Sequence, residues 1–246
     1  MTLPNFLIIG AAKCATTSLA SLLDAHPQAA IVRDKEPHFF SYNKLYRLGI
    51  EAYKKHYEHC TNEIAIGDAS TSYSRIRQHP KTISRIKLHL GNPKIIYMVR
   101  HPIERIESAY IEQMTNRGNH RITSINEAVE KLPMMIDSSR YWETYDAYRK
   151  AFGSKQIKVV WFEEYSENLS VVYNKICEFL NVDNSIGPNP NKENTNSRSS
   201  SKQRIPTNSQ LSANWNPQVL KSIKKTLEND NQKFLTHFKK PLDYWK

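Results

Sequence analysis

A short apolar run followed at once by a hydroxyl-rich turn is the feature that most constrains this fold. Residues 6–9 (FLII) precede the ten residues from Gly10 to Leu19 (GAAKCATTSL). The pattern predicts a buried strand, a tight turn carrying Lys13, and a helix opened by the hydroxyl residues 16–18. A helix N-terminus attracts anions through its N–H groups and its dipole, and the lysine and hydroxyls add donors. The segment is therefore predicted to hold a phosphate.

The spelling of the turn narrows the kind of phosphate. The nucleoside triphosphate loop G-x-x-x-x-G-K-[ST] fits poorly, because Lys13 has no glycine before it and stands three residues from both Gly10 and Thr16. The order strand, x-x-K-x-[GA]-T-[TS]-[SA]-L, helix instead resembles the loop with which sulfotransferases hold the 5′-phosphosulfate of 3′-phosphoadenylyl sulfate (PAPS). A structural strand-to-helix turn is the alternative for this loop taken alone.

A second segment resembles the other signature of the sulfotransferase family. Residues 93–113 read as a strand ending at Arg100, then Pro102 in the first turn of a helix that bears Ser108. The family pattern is [LIV]-x-x-x-R-[DNH]-P-x-[ED]-R-x-x-S-x-[YW]. The resemblance implies that Arg100 and Ser108 hold the 3′-phosphate of PAPS, a task that suits the planar guanidinium fork. The alternative is an ordinary strand–helix unit with an exposed arginine.

A third segment bears on the chemistry. Residues 35–40 (KEPHFF) follow the apolar residues 29–32, and so fall at the edge where open α/β sheets place their sites. They resemble the segment that supplies the catalytic base in carbohydrate-type sulfotransferases, including those acting on heparan sulfate. The resemblance implies that Glu36 takes the acceptor's proton, that His38 orients the acceptor or shares the proton, and that Lys35 contacts the substrate. Solvated loop residues beside a Phe39–Phe40 core anchor are the alternative.

Sulfuryl transfer is expected to proceed in line, as phosphoryl transfer does, with charge building on the leaving group. That group is the 5′-phosphate of 3′-phosphoadenosine 5′-phosphate (PAP). Lys13 and the helix N-terminus are predicted to neutralise it, which gives Lys13 a catalytic role. No metal is expected, since no run has H-E-x-x-H, C-x-x-C or D-x-D-x-D spacing.

Residues 67–73 (GDASTSY) resemble the G-[ED]-x-[ST]-P-x-Y segment that lines the acceptor side in the family. The resemblance implies substrate contacts from Asp68, Ser70 and Tyr73. Thr71 stands where proline is usual, which leaves the geometry of this turn open.

Two later stretches complete the predicted cofactor site. Phe162 follows a predicted strand at 157–161 and replaces the family's common tyrosine, so the resemblance implies stacking on adenine, with plain core packing as the alternative. Residues 183–212 form a long polar loop, which the resemblance interprets as a lid over the 3′-phosphate and which composition makes equally typical of a solvated linker. The implied cofactor contacts are Lys13, Cys14, Ala15, Thr16, Thr17, Ser18, Arg100, Ser108, Phe162, Arg198, Lys202 and Arg204.

Strands alternating with helices over 246 residues predict one domain, 1–246, of three-layer α/β type with a central parallel sheet flanked by helices, in a P-loop-like arrangement. The apolar opening is too short and lacks the cationic lead of a signal peptide or membrane anchor. Three separated cysteines, Cys14, Cys60 and Cys177, predict free thiols and a cytoplasmic location.

The formal charge of +11 suits a polyanionic cofactor and an acidic acceptor. Nucleic acid is not the expected partner, because no zinc-finger, helix-turn-helix or RNA-binding motif is present. The predicted function is therefore PAPS-dependent sulfation of a hydroxyl, on a saccharide or glycolipid. Two alternatives remain open: sulfation of a small-molecule or carrier-bound polyketide hydroxyl, and nucleotide or nucleic-acid binding without catalysis. The sequence leaves the oligomeric state open.

Overall fold

Five parallel strands form one sheet in a computed structural model that describes residues 2–33, 36–116, 122, 124–188 and 214–246. The strands are β1 Phe6–Gly10, β2 Ala29–Ile31, β3 Ala65–Asp68, β4 Lys94–Val99 and β5 Ile157–Trp161. Their order across the sheet is β2-β3-β1-β4-β5, with every neighbouring pair parallel. This confirms the predicted α/β class with a central parallel sheet.

Helices follow the strands in alternation. They are α1 Thr16–Asp24, α2 Asn43–Tyr46, α3 Ile50–Lys54, α4 Thr82–Leu90, α5 Pro102–Asn116, α6 Ile125–Lys131, α7 Met134–Asp137, α8 Tyr141–Phe152, α9 Phe162–Glu167, α10 Leu169–Leu180 and α11 Pro217–His237. Short 3₁₀ turns lie at Lys55–Tyr57, Thr71–Ser74 and Ser154–Gln156. The described residues divide into a first unit within Met1–Val99 and Thr144–Glu193, and a second within Arg100–Glu143 and Asn194–Lys246.

The first unit contains the sheet, whose central strand β1 is buried along its whole length. Strands covered on both faces read as continuous apolar runs, which explains the FLII pattern. Leu7 pairs with Asp68 on one side and with Ile95 on the other. Gly67 fits this sheet because a Cβ there would fall on the Phe6 ring. The close approach of β3 to β1 therefore needs glycine at that position.

The direction in which the chain adds strands to the sheet reverses beside β1. The chain runs from β1 outward to β2, returns to β3 on one flank of β1, and then crosses to β4 on the other flank. Ligand sites of open α/β sheets lie at the carboxyl ends of the strands at such a reversal. The loops after β1, β2 and β3, all within the first unit, end at this edge.

The second unit has its own apolar core, formed by residues from α5, α6, α7 and α11. Arg105 is 1% exposed in this unit, and its Nε donates to the Ser139 hydroxyl at 2.7 Å. Asp230 of α11 accepts from the amides of Trp142 and Glu143 at 2.9 and 3.0 Å, and so caps the start of α8. Trp245 stacks on Phe234 and so packs the C-terminal residues on α11.

The strand predicted at 157–161 is β5, with the same bounds. Strand β3 begins at Ala65, because Ile64 is half exposed and lies outside the sheet. Asn181 ends α10 in the left-handed conformation at φ 64°. None of the helices in the described parts of the chain combines the length and apolarity needed to cross a membrane.

Gly10 gives a direct test of the packing at this edge of the sheet. Its φ is +135°, and a Cβ there would lie 3.0 Å from the Ser74 Cβ and 3.2 Å from the Thr71 carbonyl oxygen. We expect Gly10→Ala to lower the free energy of unfolding by at least about 2 kcal/mol, because conformational strain and overpacking add. Urea denaturation measures the change.

Two further glycines separate the cost of backbone strain from the cost of overpacking. Gly153 has φ +83° with open space around it, so Gly153→Ala is expected to cost about 1 kcal/mol from strain alone. Gly187 has neither constraint, and Gly187→Ala should change stability by less than about 0.5 kcal/mol. Equal costs for all three variants would contradict the packing described for Gly10.

Candidate functional site

The loop between β1 and α1 is tied to the sheet by its own backbone. The Ala11 amide donates to the Met98 carbonyl of β4 at 2.7 Å, and the Cys14 amide donates back to the Ala11 carbonyl at 3.2 Å. Lys13 and Ala15 adopt left-handed φ values of 74° and 65°. The helix α1 then begins at Thr16, with no acidic residue in its first turn. The loop thus turns sharply and presents a helix N-terminus free of acidic side chains.

The predicted phosphate-binding residues of this loop differ in the exposure of their side chains. Lys13 and Thr17 are partly exposed. The Cys14 side chain is fully buried, and the Cys14 amide closes the turn by donating to the Ala11 carbonyl. The Ser18 hydroxyl lies 2.9 Å from the Tyr165 hydroxyl of α9, which ties α1 to α9. Thr16 is 4% exposed, so its side chain lies within the protein.

The turn Thr71–Ser74, called here the TSYS turn, packs directly on the end of β1. Gly10 lies against Ser74, and the Ser74 hydroxyl donates to the Thr71 carbonyl at 2.9 Å. The β1–α1 loop and the TSYS turn are therefore in contact at Gly10 and Ser74.

Glu36 and His38 lie side by side over the TSYS turn. Oε2 of Glu36 is 3.3 Å from Nε2 of His38, and Oε1 accepts from the Thr71 hydroxyl at 3.1 Å. The side chains of Glu36 and His38 are 27% and 22% exposed, so solvent or an acceptor can reach both. Both residues have left-handed φ values, 64° and 54°. The structure thus brings together the two residues for which the sequence predicted proton transfer.

Three hydrogen bonds to hydroxyl groups hold His38 in the first unit, and a fourth bond joins two of those hydroxyls. Its amide donates to the Ser70 hydroxyl at 3.0 Å, and its Nδ1 lies 2.7 Å from the Ser72 hydroxyl. The Ser41 hydroxyl lies 2.6 Å from that of Ser72 and donates to the His38 carbonyl at 3.0 Å. Position and ring orientation of His38 are therefore both set by hydroxyl groups.

Buried hydrogen bonds of Asp68 support the loops that carry Glu36 and His38. Its side chain is fully buried and accepts from the hydroxyls of Ser70 and Tyr53 at 2.6 Å and of Tyr73 at 2.7 Å. The Tyr57 hydroxyl donates in turn to that of Tyr53 at 2.8 Å. Asp68, Ser70 and Tyr73, for which the sequence predicted substrate contacts, have fully buried side chains, and Ser70 and Tyr73 both donate to Asp68. Their role is to position the loops above them.

Burial sets the protonation of the tyrosines in this network. Burial, and then the charge of Asp68, raise the pKa of Tyr53, Tyr57 and Tyr73 well above the usual range. Burial also raises the pKa of Asp68, and the hydroxyls of Ser70, Tyr53 and Tyr73 act in the opposite direction. The tyrosines consequently remain donors, which is what a buried carboxylate needs.

The second unit carries the other predicted phosphate ligands. Arg100 directly follows β4, is 7% exposed, and donates to Oε2 of Glu104 at 2.7 Å. Its carbonyl accepts from the Tyr141 hydroxyl at 2.8 Å. Ser108 lies on α5, two turns from the start of that helix, and is partly exposed. Local structure therefore holds Arg100 on α5 through Glu104 and on α8 through Tyr141.

Some of the remaining predicted site residues lie among the residues that the structure describes, and others do not. Phe162 is the first residue of α9 and is partly exposed, whereas its neighbour Trp161 is 6% exposed and packs in the core. Lys35, Arg198, Lys202 and Arg204 lie outside the described residues. In the parts of the chain that are described, no group of three His, Cys, Asp or Glu side chains is arranged to hold a metal ion.

Sequence reasoning missed the residues that hold the site. Ser41, Ser72, Tyr53 and Tyr57 were not predicted to take part. The hydroxyl-rich spelling STSYS at 70–74 was the available signal, because so many hydroxyls in a short segment after a strand need partners.

Comparison with known proteins gives a consistent result. The family model described as sulfotransferase domain matches residues 3–240. The membrane-associated sulfotransferase kil1 of Dictyostelium discoideum is 41% identical over 113 residues, covering 45% of this chain and 23% of that protein. Heparan sulfate glucosamine 3-O-sulfotransferase 5 of Mus musculus is 27% identical over 156 residues, covering 63% of this chain and 43% of that protein. The chain thus spans less than half the length of these two relatives.

A solved structure agrees over the full length. The sulfotransferase from Alicyclobacillus acidocaldarius superposes with a TM-score of 0.79 at 25% identity, covering 100% of this chain and 99% of that one. The fold and the order of its elements are therefore shared from end to end.

The Asp68 network predicts a large cost when its charge is removed. Asp68→Asn replaces one accepting oxygen by an NH2 group that can only donate, so at least one of the three hydroxyl protons loses its acceptor. We expect a loss of about 3 kcal/mol in the free energy of unfolding. Tyr57→Phe removes only the outermost bond and should cost about 1 kcal/mol. Denaturant unfolding of both variants checks the order, and equal costs would contradict it.

Proposed function

The chain belongs to the sulfotransferase domain family, and on that premise we propose that it transfers the sulfuryl group of PAPS to a hydroxyl of an acidic saccharide. The observation that carries the proposal is the Glu36–His38 pair, held over the TSYS turn that packs on the start of the β1–α1 loop. The proposed base and the proposed anion-binding N-terminus of α1 therefore both lie at the same edge of the sheet.

The residues of the first unit fit the phosphosulfate end of PAPS. Lys13 supplies a positive charge, and the first turn of α1 contains no acidic side chain that would repel an anion. PAPS supplies the activated sulfuryl group and a phosphate leaving group. We propose that Lys13 and the N-terminus of α1 stabilise the charge that develops on that phosphate.

In the second unit, Arg100 and Ser108 are the proposed ligands of the 3′-phosphate. The guanidinium of Arg100 is a planar fork of five N–H donors, which suits a phosphate, and its Nη2 contacts Glu104. Phe162 of the first unit is proposed to stack on the adenine, which its position after β5 and its partial exposure support.

Glu36 is the proposed general base. The acceptor oxygen forms a bond to sulfur, the bond from sulfur to the phosphate oxygen breaks, and the acceptor's proton goes to Glu36. The electron pair of the broken bond leaves with PAP. Thr71 and His38 each hold one carboxylate oxygen, so the carboxylate plane is fixed before the acceptor arrives.

The surroundings of the base favour an acceptor with negative charge. Residues 37–50 and 69–99 contain no aspartate or glutamate and carry two and six lysine or arginine residues respectively. The two segments pack together, since Arg85 donates to the Phe40 carbonyl at 3.1 Å and lies 4.2 Å over the Tyr46 ring. Tyr42 lies between His38 and His79, with ring centroids 4.8 and 4.9 Å away. Cations and a partly exposed ring beside the base suit an acidic sugar.

Calorimetric binding of PAP tests the donor site. We expect Lys13→Ala and Arg100→Ala each to weaken PAP binding about ten- to a hundredfold, because each removes a charge-assisted contact to phosphate. Lys44→Ala, at an exposed lysine, is the matched control and should bind as the parent does. AMP lacks the 3′-phosphate, so Arg100→Ala should leave AMP binding unchanged. Equal binding of PAP and AMP by the parent would contradict the proposal.

Glu36→Gln tests the base. The substitution keeps volume and hydrogen bonding but removes basicity, so kcat should fall at least about a hundredfold while PAP affinity stays the same. Glu51→Gln, at an exposed carboxylate paired with Lys54, is the control and should keep full activity. Sulfation of heparosan-type and neutral oligosaccharides is measured with labelled PAPS. Undiminished turnover by Glu36→Gln would rule out this base.

A further inference from the structure

The Tyr42 ring joins two histidines that come from different loops. Its centroid lies 4.8 Å from that of His38 and 4.9 Å from that of His79, so a mono- or disaccharide can reach from one imidazole to the other. Backbone bonds hold this arrangement, because the Tyr42 amide donates to the His38 carbonyl and the Thr82 amide donates to the His79 carbonyl, both at 3.1 Å. His79 therefore has a set position relative to His38, which contacts the proposed base Glu36.

The polar atoms of Tyr42 and His79 are open to a ligand. Both residues are partly exposed. Among the residues that the structure describes, none makes a hydrogen bond with the Tyr42 hydroxyl or with a ring nitrogen of His79. His38 differs, since its two ring nitrogens contact Glu36 and Ser72. The polar atoms of this ring group that a ligand can engage are therefore those of Tyr42 and His79.

Positive groups from three segments face His79. Burial lowers the pKa of His79, and Arg75, His38 and Arg85 act in the same direction. Tyr42 is the other titratable group beside the ring. Arg85 of α4 contacts three neutral groups, which are the Phe40 carbonyl, the Asn43 side chain and the Tyr46 ring. Surroundings that disfavour a proton on His79 favour an anion at the same place.

We propose that His79 and Tyr42 form an acceptor subsite that binds the anionic group of a sugar, a carboxylate or a sulfate ester, while the hydroxyl to be sulfated lies at Glu36. His79 supplies a ring N–H and the Tyr42 hydroxyl supplies a second donor. Neither residue takes the proton of the reacting hydroxyl. The part played by Glu36 rests on the proposed function, whereas binding of an acidic sugar at His79 does not.

Binding of an anion in this subsite is coupled to a proton. A bound anion offsets the charges of Arg75 and Arg85, so the pKa of His79 should rise when an acidic sugar binds. Linkage is reciprocal, so acidic sugars should bind more tightly as the pH falls through the titration range of His79. Neutral sugars should show neither effect.

NMR titration of the His79 ring tests the subsite without catalysis. The ring signals of the whole chain are followed against pH, first alone and then with a saturating heparosan-type oligosaccharide, which carries carboxylates. We expect the pKa of His79 to rise by at least about 0.5. His89, whose pKa is lowered by burial, is the internal control and should keep its pKa. Absence of binding, or binding that leaves the pKa of His79 unchanged, would overturn the proposal.

His79→Gln keeps an N–H donor and removes the capacity for charge. Calorimetry at about pH 6 should show binding of the oligosaccharide weakened about tenfold, with its pH dependence lost. His79→Arg carries a permanent charge and should bind equally well at about pH 6 and about pH 8. Lys81→Gln, which removes an exposed charge two residues away, is the matched control and should change Kd less than about twofold. Equal losses in His79→Gln and Lys81→Gln would mean general attraction to a basic surface and would overturn the proposal.

A sulfated oligosaccharide without uronic acid distinguishes the two anionic groups. Tighter binding of this probe assigns the subsite to a sulfate ester, and tighter binding of the heparosan type assigns it to a carboxylate. Either preference supports the subsite when it is lost in His79→Gln, and indifference of both probes to His79→Gln overturns it.

If His79→Gln does not fold, Tyr42→Phe keeps the ring contacts and removes only the hydroxyl. It should weaken binding of the acidic probe about fivefold, and unchanged binding would contradict the subsite. In sulfation assays, His79→Gln should raise KM for the acidic acceptor more than it lowers kcat. Binding at His79 without any sulfation would refute the proposed function and leave the subsite standing. Sulfation of an acidic saccharide with no dependence on His79 would do the reverse.

Discussion

The buried carboxylate of Asp68 is the interaction on which the candidate site depends. A carboxylate without solvent is costly unless it is hydrogen-bonded, and three hydroxyls supply those bonds. Tyr53 comes from α3, in the stretch after β2, whereas Ser70 and Tyr73 come from the stretch after β3. One charge therefore fixes two connections of the sheet. Ser70 also accepts a hydrogen bond from the His38 amide, so the position of the loop that carries Glu36 and His38 depends on the buried Asp68.

Backbone strain is concentrated in the two loops that carry the proposed chemistry. Lys13 and Ala15 in one loop, and Glu36 and His38 in the other, have positive φ values although none is glycine. Such conformations cost about 1 to 3 kcal/mol each and persist only where surrounding contacts determine them. Those contacts are the backbone hydrogen bonds of the β1–α1 loop and the hydrogen bonds from hydroxyl groups around His38. Rigid loops of this kind would hold the proposed base and the proposed anion-binding turn in place before ligands arrive.

Sequence patterns predicted the sheet and the loops of this site but not the bonds within it. Apolar runs and the turn spelling located β1, β4 and the Glu36 segment, because periodicity and helix-start signals are local. Ser41 and Ser72 are 31 residues apart, and no local pattern links them. The motif around Asp68 did not indicate that its side chains are buried, because a motif carries no information on burial. Thr71, which departs from the family pattern, is the residue whose hydroxyl holds Glu36, and only the structure could show this.

Two carboxylates of the site have the same chemistry and opposite environments, and the environments assign their roles. Asp68 is fully buried, and hydroxyls that remain protonated occupy both of its oxygens. Glu36 is 27% exposed, with one oxygen held by a hydroxyl and the other by an imidazole. Environments that differ in this way are how proteins assign distinct tasks to like groups. A proton on Asp68 would break the network that supports the loops, whereas the proposed role of Glu36 as base needs no such change, because the neighbours of Glu36 keep its geometry fixed.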